Sequence, residues 1–336
     1  MGTGAGIGRP PGGAWMDIPS IAVLVGSLAA LGWAADVFVV SASNMGRILR
    51  LPKMVVGIVL VGFATTAPEL AVSVQSAYLG HPEIALGNAL GSVMADDGLA
   101  MALAALLATS PILIDPRILK SAGLFLIAID LVAYGLAWNG HVARAEGVVL
   151  MLLLAGYYAL VLRTERRRWK EGRAPELAEG HETPLPCLRV CVMKFVGGLV
   201  GVVIASRFII WSATNIARSM GVTEAVIGLT VIAFGTSLPE IGTCVAAARR
   251  GEGQIAVGDI VGADILNVLW VIGMSAAVSP ITVPTNVINF AFPWMLAIVL
   301  TMLVCMRIGY RLTRPKGVLL IALYAAYIAS AVRWFY

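Results

Sequence analysis

The chain has 336 residues, 59% hydrophobic and 13% charged, with a formal net charge of +5 and a mean hydropathy of +0.88. A soluble domain carries roughly 25% charged residues, so an ordinary soluble fold is excluded and an integral membrane protein built of helices is expected. The positive charge is assigned to the sidedness of membrane loops rather than to a nucleic-acid partner.

Residues 1–17, MGTGAGIGRPPGGAWMD, form a Gly/Pro-rich tail. It lacks the basic, apolar and small-residue succession of a cleaved signal peptide, and Gly6 stands where a myristoylation site needs Ser or Thr. Ten apolar segments follow, near 18–42, 54–78, 84–109, 118–138, 146–162, 190–214, 225–248, 254–277, 285–305 and 317–334. The one long polar stretch, 163–189, divides them into halves of five spans, 18–162 and 190–336. With that linker cytoplasmic, 17 Lys and Arg fall on its side of the membrane and four on the other. Both termini are then extracytoplasmic, in a multi-pass protein of the plasma membrane. Trp138 and Trp334, near span ends, read as interfacial anchors. The four cysteines, Cys187, Cys191, Cys244 and Cys305, form no CxxC pair and read as small core residues.

Residues 57–98 align without a gap on 228–269 at a shift of 171, with 12 of 42 positions identical. The register extends upstream, where Ser41-Ala42-Ser43-Asn44 meets Ser212-Ala213-Thr214-Asn215. The chain is therefore an internal duplication. An odd number of spans per repeat inverts the second half relative to the first. That is the plan of secondary transporters, with a site at the midplane.

Each copy places Thr-Thr/Ser-x-Pro-Glu inside an apolar span: Thr65, Thr66, Pro68 and Glu69, then Thr236, Ser237, Pro239 and Glu240. A proline has no N–H, so the carbonyls of Ala64 and Gly235 lose their helical donors and are free to meet a cation. The next span adds Ser92 and Asp96 in the first copy, Ala263 and Asn267 in the second. Ser92 and Asp96, four apart, share a helix face. Gly87, Gly91, Gly258 and Gly262 make small-residue faces for close helix approach. Carboxylates at membrane depth mark function by default, and a donor set of hard oxygens suits Ca²⁺ or Na⁺ over Zn²⁺ or Cu²⁺. Asp97, Asp259, Asp264 and Asp130 are further acids inside apolar spans, and Asp36 and Arg207 occupy equivalent places with opposite sign.

These motifs resemble the paired α-repeats of the cation/calcium exchanger superfamily. GTSLPE at 235–240 and GNALGS at 87–92 match its patterns, while FATTAPE at 63–69 is looser and GDIVGA at 258–263 departs. The resemblance implies ten transmembrane helices in two inverted repeats of five. It implies Glu69 and Glu240 as central ligands shared by Ca²⁺ and Na⁺, with Asp96 and Asn267 completing their layer. Thr65 and Thr236 would serve the Ca²⁺ site, and Thr66, Ser237 and Ser92 flanking Na⁺ sites, with Ala64 and neighbouring carbonyls helping. Ala263 removes a hydroxyl from one flanking site.

The expected function is Ca²⁺/Na⁺ antiport by alternating access, with H⁺/Ca²⁺ exchange on the same fold as the alternative. A cation channel is disfavoured by broken helices in inverted repeats. An intramembrane aspartyl protease is disfavoured because AVGD at 256–259 lacks the first glycine of its motif and the paired glutamates stay unexplained. No cofactor, nucleotide or nucleic acid is expected; the partners are lipid and inorganic cations, and the chain can act as a monomer.

Overall fold

The computed structural model describes residues 18–171, 186–220 and 235–335. The tail 1–17, most of the linker, and the first part of the seventh apolar segment, with Gly228 and Phe234, lie outside the described residues. The protein is an all-α membrane protein trimmed by two minute sheets. Its helices are α1 (Ile18–Leu49), α2 (Lys53–Thr65), α3 (Ala67–Tyr78), α4 (Pro82–Leu107), α5 (Pro116–Ala137) and α6 (Arg144–Lys170). Then come α7 (Leu188–Ser219), α8 (Leu238–Arg249), α9 (Gly253–Val278), α10 (Val287–Tyr310) and α11 (Arg314–Phe335). Seven of these are long and apolar enough to cross a membrane, and the bent pair α2–α3 makes an eighth candidate.

Burial ranks the helices. The apolar stretch of α9 is 94% buried and that of α4 72%, whereas α1, α6 and α7 stay between 22% and 28%. α4 and α9 therefore form the core, and α1 and α7 pack against each other outside it. Glycines make the core possible. A Cβ on Gly57 would lie 2.4 Å from the Ile255 carbonyl, and one on Gly258 would lie 2.1 Å from that of Met54. α2 and α9 thus meet backbone to backbone, as the small-residue face containing Gly258 and Gly262 anticipates. For Gly87 and Gly91 no such approach is seen among the described residues.

Tight turns close the helix pairs. Gly80 (φ 89°) ends α3 and Gly251 (φ 74°) ends α8, each in the left-handed conformation that glycine adopts without strain. α6 runs to Lys170, eight residues beyond the expected end of the fifth span. Ion pairs Arg168–Glu165 and Arg167–Glu171, one turn apart, carry the helix into the polar linker.

The strands are β1 (Ile112–Leu113), β2 (His141–Val142), β3 (Ile281–Thr282) and β4 (Arg311–Leu312). β1 pairs antiparallel with β4, and β2 with β3. β1 and β3 hold corresponding places in the two halves, 169 residues apart, as do β2 and β4 at 170. Each strand therefore pairs with the non-equivalent strand of the other half. β1 and β2 stand at opposite ends of α5, whose 22 residues span about 33 Å.

Candidate ion site

Pro68 and Pro239 set the local geometry. Each sits near the start of a helix, where a missing N–H costs nothing. The chain before Pro68 cannot continue straight, and α2 and α3 meet at a 43° bend at Thr66. Glu69 and Glu240 consequently fall in the first turns of α3 and α8, where the helix dipole favours negative charge. Glu69 is fully buried and Glu240 is 1% exposed; no oxygen of either has a hydrogen-bond partner among the described residues. The two lie within electrostatic reach of each other, and Arg207 of α7 within reach of Glu69.

Asp96 and Asn267, also fully buried and without partners among the described residues, come from α4 and α9. Asp96 faces Glu69 and Glu240, with Asp259 nearby. Ser237 lies against Asp96, and Thr65 against Glu240. Ser92, Thr66 and Ser237 point buried hydroxyls at no acceptor among the described residues. Ala64 and Gly235 are buried beside the helix breaks. A Cβ on Gly235 would meet Ile210 of α7 at 2.4 Å. Among the described residues no three His, Cys, Asp or Glu side chains cage a metal by themselves. A cation between the glutamates would therefore draw on hydroxyls and freed carbonyls for most of its shell, as hard cations do.

Two features escaped the sequence. The first is a pair of π-turns, Asp96–Ala100 and Asn267–Val271, that begin 171 residues apart. Another, Gly57–Val61, lies in α2, where Tyr158 donates to the Ile58 carbonyl at 3.3 Å. π-turns widen a helix by one residue and gather at functional sites. The widening starts at Asp96 in one half and at Asn267 in the other.

The second is a pair of bridges between the halves. The Thr65 hydroxyl donates to Asp259 Oδ1 at 3.1 Å, with the Val61 carbonyl a competing acceptor at 3.2 Å. Thr236 donates to Asn88 Oδ1 at 3.3 Å. Positions 88 and 259 are equivalent, as are 65 and 236. Thr243 at 2.7 Å completes Asp259, and Asn88 donates to Ser73 Oγ at 3.0 Å. The Asn-for-Asp difference at 88 and 259 was visible; the threonine partners needed the fold.

The remaining acids gather beside the centre, with Asp97 and Asp264 within electrostatic reach of Asp96. Asp97 lies against Asp264, with Asp130 of α5 nearby, all three fully buried. This agrees with Asp97 standing about 100° round the helix from Asp96. Asp36 pairs not with Arg207 but with Arg250, through two contacts of 2.8 Å. The four cysteines are all unpaired. Trp138 is 66% exposed at the end of α5, as an interfacial anchor requires. Trp334 belongs to the residues whose side chains are not described.

Against this geometry stand the similarities to known proteins. The family described as "Sodium/calcium exchanger protein" matches residues 19–163 and 191–333. The putative antiporter CaxA of Alkalimonas amylolytica is 32% identical over 319 residues, covering 93% of this chain and 98% of its own. The sodium/calcium exchanger MaX1 of Methanosarcina acetivorans is 28% identical over 339 residues, covering 91% and 96%. A solved structure of the sodium-calcium exchanger NCX_Mj, soaked with zero Na⁺ and Ca²⁺, superposes with a TM-score of 0.78 at 26% identity, over 94% of this chain and 100% of that one.

Proposed function

The chain belongs to the sodium/calcium exchanger protein family, and from that premise and the site geometry we propose that it exchanges Ca²⁺ against Na⁺ by alternating access. Membership makes it a cation/Ca²⁺ exchanger of the membrane, a transporter rather than an enzyme. The observation that carries the Na⁺-coupled reading is the glutamate pair. Glu69 and Glu240 come from the two halves, are buried together, and have no partner among the described residues. Two buried carboxylates without compensation are costly, and a bound cation removes the cost.

Coupling follows from sharing. If Ca²⁺ and Na⁺ use the same glutamates, they compete, and either load neutralises the site. Empty, the site holds bare carboxylates in an apolar core and resists passage between conformations. Thr65, Thr236, Asp96, Asn267 and the carbonyls of Ala64 and Gly235 would complete the Ca²⁺ shell. Thr66, Ser237 and Ser92 would serve Na⁺. We read the architecture as ten spans in two inverted repeats, with both termini outside the plasma membrane and one chain sufficient for function. Sheet pairing supports the inversion: corresponding loops, those of β1 and β3, stand at opposite ends of the bundle. The Lys/Arg asymmetry supports the orientation.

A second reading, H⁺/Ca²⁺ exchange, is favoured by one observation. Asp97, Asp264 and Asp130 are a buried cluster of acids, Asp97 against Asp264, with no basic partner among the described residues. A buried acid without a partner holds either a cation or its own proton. Ca²⁺ uptake into proteoliposomes decides between them, measured with an outward Na⁺ gradient, an outward H⁺ gradient, or neither. Uptake driven by Na⁺ alone supports the proposal. Uptake driven by H⁺ alone overturns it in favour of the second reading, and uptake with neither gradient would indicate a channel.

A further inference from the structure

A groove of about 720 Å³ runs between α1, the end of α4 and α8. Its floor is apolar, made by buried Leu31, Ile241 and Ala246. Its rim carries Leu28, Trp33 and Leu107, half or more exposed. One end is polar, with Asp36, Arg249 and Arg250. Arg250 is held by Asp36 through both guanidinium contacts. Arg249 is exposed and has no acidic partner among the described residues. The groove thus ends in one net positive charge.

We propose that this groove binds an anionic phospholipid, with an acyl chain along the α1–α8 floor and its phosphate on Arg249. A channel of hydrocarbon side chains that opens between membrane helices suits an acyl chain. A guanidinium binds phosphate oxygens in a fork, which a zwitterionic headgroup neutralises in part. Basic pockets between helices on the Lys/Arg-rich side of a membrane protein take anionic headgroups. Trp33, exposed on the same rim, adds an aromatic wall for the acyl chain to lie against. The Asp36–Arg250 pair fixes the end of α8 to α1, so the groove walls keep their spacing and Arg249 stays available. The lipid would bridge α1, the edge helix, to core-contacting α8.

The test uses the purified full chain in detergent and does not involve transport, so it stands or falls separately from the ion assignment. Thermal unfolding is followed with added dioleoyl phosphatidylglycerol, dioleoyl phosphatidylcholine or glycerol 3-phosphate. The expected result is stabilisation by phosphatidylglycerol well above that by phosphatidylcholine, and none by glycerol 3-phosphate. Two variants attack opposite ends of the site. Arg249→Gln removes the charge and is expected to weaken phosphatidylglycerol binding roughly tenfold or more. Gly32 lines the groove and a Cβ there meets nothing within 4 Å, so Gly32→Phe has room to enter it and is expected to abolish the lipid preference in a folded protein. Lys120→Gln, elsewhere on the basic side, is expected to leave it unchanged. Equal stabilisation by both lipids, or an undiminished preference in Arg249→Gln and Gly32→Phe, overturns the proposal. Stabilisation by glycerol 3-phosphate alone would reduce the site to a phosphate contact. A change of oligomeric state in Gly32→Phe without lipid preference would make the groove a contact between copies of the chain.

Discussion

Along α4 the first half carries Asn88, Ser92 and Asp96; at the equivalent places along α9 the second half carries Asp259, Ala263 and Asn267. Each row has one acid and one amide, but in opposite order. Eight residues separate the two positions in a row, about 12 Å along a helix. In the fold Asp259 is bridged to Thr65 and Thr243, and Asn88 to Thr236 and Ser73. Asp96 and Asp259 lie within electrostatic reach of each other. A duplicated chain need not stay symmetric in function. Here the glutamates are matched, while Asp96 and Asp259, one from each row, make one acidic side.

The comparison breaks first at the glutamates if it breaks at all. Glu69→Gln and Glu240→Gln should each lower Ca²⁺ uptake by roughly two orders of magnitude, the scale of losing about 3 kcal/mol of ion binding. Circular dichroism and gel filtration should show folded protein. Near wild-type flux in either variant would remove that residue from the site.

The seam where the halves meet comes next. Gly57→Ala and Gly258→Ala push a methyl group into backbone at 2.4 and 2.1 Å. They should destabilise the protein by about 1–3 kcal/mol in thermal unfolding. Gly156→Ala, with nothing within 4 Å, is the control. Equal melting curves would mean that α2 and α9 are not so tightly joined.

The acidic side is sharpened by exchanging acid and amide. Asp96→Asn should cut Ca²⁺ uptake about tenfold, near 1.4 kcal/mol. Adding Asn267→Asp should restore the charge from the other half of the chain, on α9 rather than α4, so the double variant should recover only in part. Full recovery would show that charge matters and its position does not.

The smallest effect is expected at Ala263→Ser. It returns a hydroxyl matching Ser92 and should raise apparent Na⁺ affinity a few-fold, less than the roughly 1.5–3 kcal/mol of a full contact to a charge, because water can substitute. Ca²⁺ affinity should hardly change. Na⁺ competition against Ca²⁺ uptake, at two pH values, measures it. Strong pH dependence without Na⁺ competition in either protein would favour proton exchange.

What could be read from the chain alone was whatever composition and repetition encode. Glu69 and Glu240 stood out because a charge beside a proline in an apolar run has few structural explanations. The π-turns at Asp96 and Asn267 were invisible, since they are a choice of hydrogen-bond partner that side-chain types do not dictate. The bridges Thr65–Asp259 and Thr236–Asn88 join residues 194 and 148 apart, so only the packing of α2 on α9 and of α8 near α4 creates them. The Asp36–Arg250 pair was missed for a different reason. Equivalence under duplication pointed to Arg207 and left a buried pair and separate aqueous contacts equally open, but the charge that meets Asp36 is set by the turn after α8.

The matched π-turns also carry a date. A π-turn is an α-helix with one residue added, and an addition shifts everything after it by one position. Yet the two halves stay in gapless register through Asp96 and Asn267, with the turns starting 171 residues apart. One insertion made before the duplication accounts for both; two later insertions at one place would require coincidence. A surviving half-length relative should show the π-turn at its single acid or amide, and a plain α-turn there would refute this order of events.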